Sequence, residues 1–155
     1  MNKKIATYCE FLAEWNEKMN LISFASREEL LSKHIFDSEQ AAQFLDQKHP
    51  QNILDIGSGG GLPGVVLAIL FSESRFTLVD STRKKILALK DMCERLDLAN
   101  VECVWGHTND LEKDRRFSGK FDVVTARAVA PLPRLLPMVL PFLRRGGLLL
   151  AFKGP

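Results

Sequence analysis

Asn52-Ile53-Leu54-Asp55-Ile56-Gly57-Ser58-Gly59-Gly60-Gly61-Leu62-Pro63-Gly64 reads as a short buried strand, a glycine turn and the start of a helix. Asn52 to Ile56 is a compact β-favouring run. Gly57, Gly59, Gly60 and Gly61 crowd into the turn that follows. Glycines open backbone angles that side chains forbid, and they let a ligand approach the main chain closely. Pro63 suits the first turn of the next helix, where its missing N–H costs nothing. The free N–H groups at that helix start favour an anionic ligand group, a carboxylate or a phosphate. A tight turn without a ligand is the plain alternative, but so dense a glycine run sacrifices more chain entropy than a turn needs.

Two ligand patterns overlap in this loop. Gly59-x-Gly61-x-x-Gly64 has the dinucleotide-binding spacing. Asp55-x-Gly57-x-Gly59-x-Gly61 has the pattern of S-adenosylmethionine sites. The end of the strand favours the second. The apolar run stops at Ile56, so Asp55 sits at the carboxyl end of the strand, where ligands bind in an open α/β sheet. A carboxylate there can accept from an ammonium group and would repel a pyrophosphate.

Beyond the loop, strand and helix alternate. A helix is expected through Val65 to Phe71, then the strand Phe76-Thr77-Leu78-Val79-Asp80. Asp80 follows the glycine loop by about twenty residues, the spacing at which a carboxylate meets ribose hydroxyls. Capping the next helix is a compatible role. That helix should run from Ser81 or Thr82 to Leu98, followed by a third strand, Val101 to Trp105. His107-Thr108-Asn109 comes next, in position to contact an adenine. Phe121 to Ala126 is the fourth strand, ending at Arg127. Leu132 to Arg144 has a helical pattern that Pro137 should kink and Pro141 end. A turn over Arg144-Arg145-Gly146-Gly147 leads into a fifth strand, Leu148 to Lys153. The expected fold is α/β, a parallel doubly wound sheet, its last strand left as an edge unless more chain follows.

Before the loop, Ile5, Tyr8, Cys9, Leu12, Trp15 and Met19 recur at helical spacing over residues 5–19. Asn20 and the β-favouring Leu21-Ile22-Ser23-Phe24 interrupt the pattern. Ser26-Arg27-Glu28-Glu29 has capping-box spacing and starts a second helix. His34 and Asp37 lie three apart, on one face or across a helix end. Spacing alone favours a plain reading, in which Asp37 or Ser38 caps a third helix over Ala41, Ala42, Phe44 and Leu45, and His34 is a satisfied polar residue.

The chain has 155 residues, 46% apolar and 26% charged, which fits one soluble domain. It contains no run that would span a membrane, and no signal peptide is expected, because Glu10, Glu14 and Glu17 interrupt the apolar pattern after the basic start. Cys9, Cys93 and Cys103 lack metal-ligand spacing and read as thiols in a reducing cytoplasm. A net charge of +2 makes no electrostatic case for nucleic acid. The clusters Arg83-Lys84-Lys85, Arg115-Arg116 and Arg144-Arg145 read as solvated faces or loops.

Taken together, the motifs resemble those of the bacterial small-subunit rRNA guanine-N7 methyltransferase G family, also called glucose-inhibited division protein B. The resemblance runs from Tyr8 to Gly154. It rests on Trp15-Asn16 with Asn20-Leu21, His34-Ile35-Phe36-Asp37-Ser38, the loop Asp55 to Gly64, Arg127-Ala128 and Lys153-Gly154. It implies a class I S-adenosylmethionine-dependent methyltransferase core (residues 51–155) behind a helical N-terminal extension (1–50), the two forming one compact unit. It implies methylation of N7 of one guanine in 16S rRNA. The chain's own sequence is read as that of a cytoplasmic protein, a monomer, with no DNA or membrane partner. Gly57 and Leu62, with Asp55, Gly59 and Gly61, would line the cofactor site. Asp80, Ser81 and Thr82 would hold the ribose, and Thr108 and Asn109 would frame the adenine. Arg127 would stand at the reaction end or hold the cofactor carboxylate, with His34, Asp37 and Ser38 facing the same cleft as substrate-positioning groups. No metal is implied. The sequence departs from the family at His107-Thr108-Asn109, where Arg-x-Glu is usual. Members of the family also continue for some tens of residues, and class I folds close with a further antiparallel hairpin. A truncated, non-catalytic protein that binds cofactor or rRNA is therefore one alternative. An NAD-linked oxidoreductase is another, but Tyr8 is the only tyrosine, so no Tyr-x-x-x-Lys pair exists.

Overall fold

A computed structural model describes residues 1–153. Five strands form one parallel sheet in the order β3-β2-β1-β4-β5: Asn52–Ile56 (β1), Arg75–Asp80 (β2), Val101–Trp105 (β3), Phe121–Arg127 (β4) and Leu143–Phe152 (β5). The helices between them are Gly64–Leu70 (α4), Arg83–Arg95 (α5), the short Thr108–Leu111 (α6) and Leu132–Val139 (α7). Ahead of β1 come Lys3–Lys18 (α1), Arg27–Glu29 (α2) and Phe36–Asp46 (α3).

The strands are apolar on both faces because both faces are covered. Alternation splits them into two cores. Ile53, Phe76, Leu78 and Val123 join Ile5, Tyr8, Leu12, Val65 and Leu89 on one face. Leu54, Ile56, Val79, Val124 and Ala126 join Leu135, Val139 and Phe142 on the other. The helices preceding β1 thus share a core with the sheet. Strand order reverses between β1 and β4, which places the topological switch point at their carboxyl ends. Cys9, Cys93 and Cys103 are free thiols, and no helix among the described residues is long and apolar enough to cross a membrane.

Two expectations from the sequence need correction. Asp37 and Ser38 cap nothing. From Arg27 to Asp46 the chain stays helical, and Leu30–Ile35 forms a π-helical segment that joins α2 to α3. The Ser38 hydroxyl instead donates to the His34 carbonyl at 2.9 Å, inside the helix. Arg144 to Gly147 is not a turn before the last strand. It is a bulge inside β5, between the pairs Phe121–Leu143 and Val123–Leu148, and Gly146 at φ 78° permits it. As expected, the helical stretch from Leu132 stops at Pro141: α7 ends at Val139 and a 3-10 turn over Leu140–Phe142 carries Pro141. Pro137 lies inside α7.

Candidate active site

Above the switch point lies a cleft of about 330 Å³. Its walls are Gly57 to Gly60 and Leu62 from the loop, Asp80 from β2, Lys85 from α5, Arg127 and Ala128 after β4, His34, and the strap Leu21-Ile22-Ser23. A wider groove of about 460 Å³ by Arg75, Arg116 and Lys120 lies at the amino ends of the strands, the wrong end for a ligand in this sheet class.

The glycine loop is an anchored main-chain surface. Gly57, Gly59 and Gly61 have φ of 66°, 54° and 98°, a region costly for other residues. Ser58 N–H donates to the Val79 carbonyl at 2.9 Å, and the Ser58 hydroxyl to the Asp55 carbonyl at 3.0 Å. Asp80, only 7% exposed, uses one oxygen to accept from Gly59 N–H and the other from Thr82 N–H, both at 2.9 Å. Each carboxylate oxygen has lone pairs to spare, so Asp80 can shape the loop and still accept from hydroxyls in the cleft.

Asp55 lies elsewhere. It is 1% exposed and sits under the loop. Its Oδ1 accepts from the Thr125 hydroxyl at 2.7 Å. Its Oδ2 faces Gly64 so closely that a Cβ there would stand 2.6 Å away. The carboxylate facing the start of α4 is thus the protein's own Asp55, which does not line the cleft. Burial, above all, pushes this carboxyl up to about 6, against the pull of Thr125, Ser58 and the Gly64 amide.

The other side of the cleft is a corner of side chains. The Nη2 of Arg127 stands 2.6 Å from Nδ1 of His34 and 3.6 Å from Asp37 Oδ2. A guanidinium only donates, so Nδ1 accepts. Burial, and then the charges of Arg127 and Lys33, hold the His34 pKa below its usual value. The neutral ring carries its proton on Nε2. That N–H and Nη1 of Arg127 are buried, without a hydrogen-bond partner among the described residues. The π-helical segment delivers His34 to this corner, a common use of such segments. Ala128 turns the chain at φ 52°, immediately after Arg127.

Of the residues singled out from sequence, the cleft gathers Gly57, Gly59, Leu62, Asp80, His34 and Arg127. Asp37 reaches it through Arg127, and Ser38 supports the His34 turn from within the helix. Asp55, Gly61, Ser81, Thr82, Thr108 and Asn109 do not line it. Ser81 and Thr82 are exposed, and Thr108 and Asn109 belong to α6. Gly154 of the Lys153-Gly154 pair lies outside the described residues. Sequence reasoning passed over Ser23 and Lys85. Lys85 belongs to the cluster Arg83-Lys84-Lys85, which reads from sequence as a solvated face. The strap has no regular structure to announce it, although the break in helical pattern at Asn20 marks its place.

A family model described as rRNA small subunit methyltransferase G matches residues 1–155. The ribosomal RNA small subunit methyltransferase G of Streptococcus agalactiae serotype V is 41% identical over 152 residues, spanning 97% of this chain and 64% of that protein. Its counterpart from Caldanaerobacter subterraneus is 40% identical over 147 residues, 95% of this chain and 62% of that one. The chain thus spans less than two thirds of these relatives' length. Among solved structures, an O-methyltransferase from Bacillus cereus in complex with SAH has a TM-score of 0.72 at 20% identity, covering 94% of this chain and 65% of that one. SAH-bound PaMTH1 from Podospora anserina has a TM-score of 0.71 at 16% identity, covering 97% and 62%. At these identities the structures establish the fold, a class I methyltransferase fold.

Proposed function

We infer that this chain, which belongs to the rRNA small subunit methyltransferase G family, binds S-adenosylmethionine in the cleft and directs its methyl group to N7 of a guanine in 16S rRNA. One observation carries the reading. A single cleft at the switch point holds both Asp80, which organises the glycine loop, and the donor corner of His34 and Arg127. The first suits a nucleoside and the second an acceptor edge.

Bound there, the cofactor would supply an electrophilic methyl group. Guanine N7 has a lone pair and carries no proton in the major-groove edge, so the protein needs no general base. Its work is positioning. Once the corner opens to the base, the unpartnered N–H groups of His34 and Arg127, buried in the free protein, would suit O6 of guanine, which lies beside N7. Adenine presents an amino group at that place and would set donor against donor. Asp37 holds Arg127 from behind. The same reading makes the 16S rRNA of the small ribosomal subunit the partner, engaged at an accessible purine, and the setting cytoplasmic, with the protein acting as a monomer.

Calorimetry with S-adenosylhomocysteine, and NAD as control, tests the cofactor half. Saturable binding of the former alone is expected. Binding of NAD alone would overturn the reading.

A further inference from the structure

One face of α1 touches both main-chain walls of the cleft. Tyr8, Leu12 and Asn16 are spaced i, i+4, i+8 and line up over about 12 Å of helix. Tyr8 is fully buried, and its hydroxyl donates to the Gly60 carbonyl at 2.7 Å. Leu12 packs on the same loop, its Cδ1 only 2.9 Å from where a Gly60 Cβ would lie. Asn16 holds the strap. Its Oδ1 accepts from Leu21 N–H at 2.8 Å and Ile22 N–H at 3.1 Å, and its Nδ2 donates to the Ile22 carbonyl at 2.9 Å. Strap and loop meet at Gly59, where an added Cβ would stand 3.3 Å from the Leu21 carbonyl oxygen.

The back of α1 is fastened too. Trp15 Nε1 donates to Asp91 of α5 at 2.7 Å, and Arg95 pairs with Glu14 at 3.0 Å while lying 3.7 Å over the Phe11 ring. Tyr8 and Asn16 do not line the cleft. Their polar groups end on backbone atoms of the loop and the strap.

We propose that α1 is a brace for the cofactor cleft, with Tyr8 and Asn16 as positioning residues that set the glycine loop and the Leu21–Ser23 strap at a fixed separation. The inference rests on reading this cleft as the S-adenosylmethionine site. Each residue secures one wall, so losing either loosens the cleft while the sheet stays intact. Removing one partner of a buried hydrogen bond leaves the other unsatisfied.

The test is S-adenosylhomocysteine affinity and native-state amide exchange in Tyr8→Phe, Asn16→Ala and Asn16→Asp. Val139→Ala, a truncation in the core on the opposite face of the sheet, controls for lost stability. Tyr8→Phe and Asn16→Ala should each weaken binding about tenfold, and Val139→Ala by less than about twofold. Asn16→Asp, which keeps the acceptor for both amides, should recover part of the loss. Wild-type affinity in both Tyr8→Phe and Asn16→Ala overturns the brace. If the unmodified chain does not bind S-adenosylhomocysteine, the cofactor reading fails and exchange alone decides on the brace. The Gly59 and Gly61 amides should then exchange about tenfold faster in Tyr8→Phe than in Val139→Ala. Equal rates overturn it.

Discussion

The two sides of the cleft are made of different material. Toward β1 and β2 the wall is main chain, a glycine loop pinned by Asp80 and Ser58. Toward β4 it is side chain: Arg127, His34 and Asp37, with His34 and Arg127 meeting across 93 residues of sequence. A backbone wall fits what is common to every turnover, and a side-chain wall fits what must be selected. Cofactor binding should therefore depend on the first and methyl transfer on the second.

The sharpest way to break that division is Arg127→Ala. In an assay with undermethylated small subunits, turnover should fall about a hundredfold or more, the scale of losing a positioning donor. S-adenosylhomocysteine affinity should change by less than about threefold. A variant that loses cofactor affinity instead would assign Arg127 to the cofactor carboxylate and dissolve the contrast.

Asp55 adds a carboxyl buried beneath the backbone wall, outside the lining of the cleft. Its carboxyl is raised from 3.8 to about 6 in the folded protein. The native state therefore binds this proton more tightly than the unfolded chain does. The stability this confers is full below the unfolded value and is lost as pH rises through about 6. The span corresponds to roughly 3 kcal/mol. Urea unfolding of Asp55→Asn across about pH 4 to 7 should show the variant gaining on the wild type by that order, with a plateau above about pH 6. A constant difference across the range would mean that Asp55 is not held protonated.

Asp80→Ala should have a smaller effect, weakening S-adenosylhomocysteine about tenfold by removing a ribose acceptor and freeing the Gly59 and Thr82 amides. Turnover at saturating cofactor should stay close to normal. If turnover falls as far as in Arg127→Ala, the two walls do not divide the work.

The same contrast explains what the sequence disclosed. The loop from Asp55 to Gly64 and the following Asp80 are local, and strand endings placed Asp80 at the cleft. The alternating rhythm of strand and helix held from Asn52 onward because both faces of the sheet are buried. His34 was harder. A π-helical segment breaks the 3.6-residue period, so spacing suggested a helix boundary at Asp37 and Ser38 where the helix in fact continues. The strap was harder still. Leu21 to Ser23 is positioned by the Asn16 side chain, and no periodicity records such a bond. Asp55 shows a motif residue whose neighbours redirect it. Only the packed structure reveals that Thr125 and Gly64 enclose its carboxylate.

Gly64 carries a consequence for any survey of tolerated substitutions. Even a methyl group there would stand 2.5 Å from Leu78 and 2.6 Å from Asp55. Selection for activity would rank this position as unforgiving as Arg127, although it does not line the cleft. The intolerance of one reports a lack of room, and that of the other a chemical task. Variant libraries scored by fold and by turnover separately will sort the two, whereas a single score would draw the active site one layer too deep.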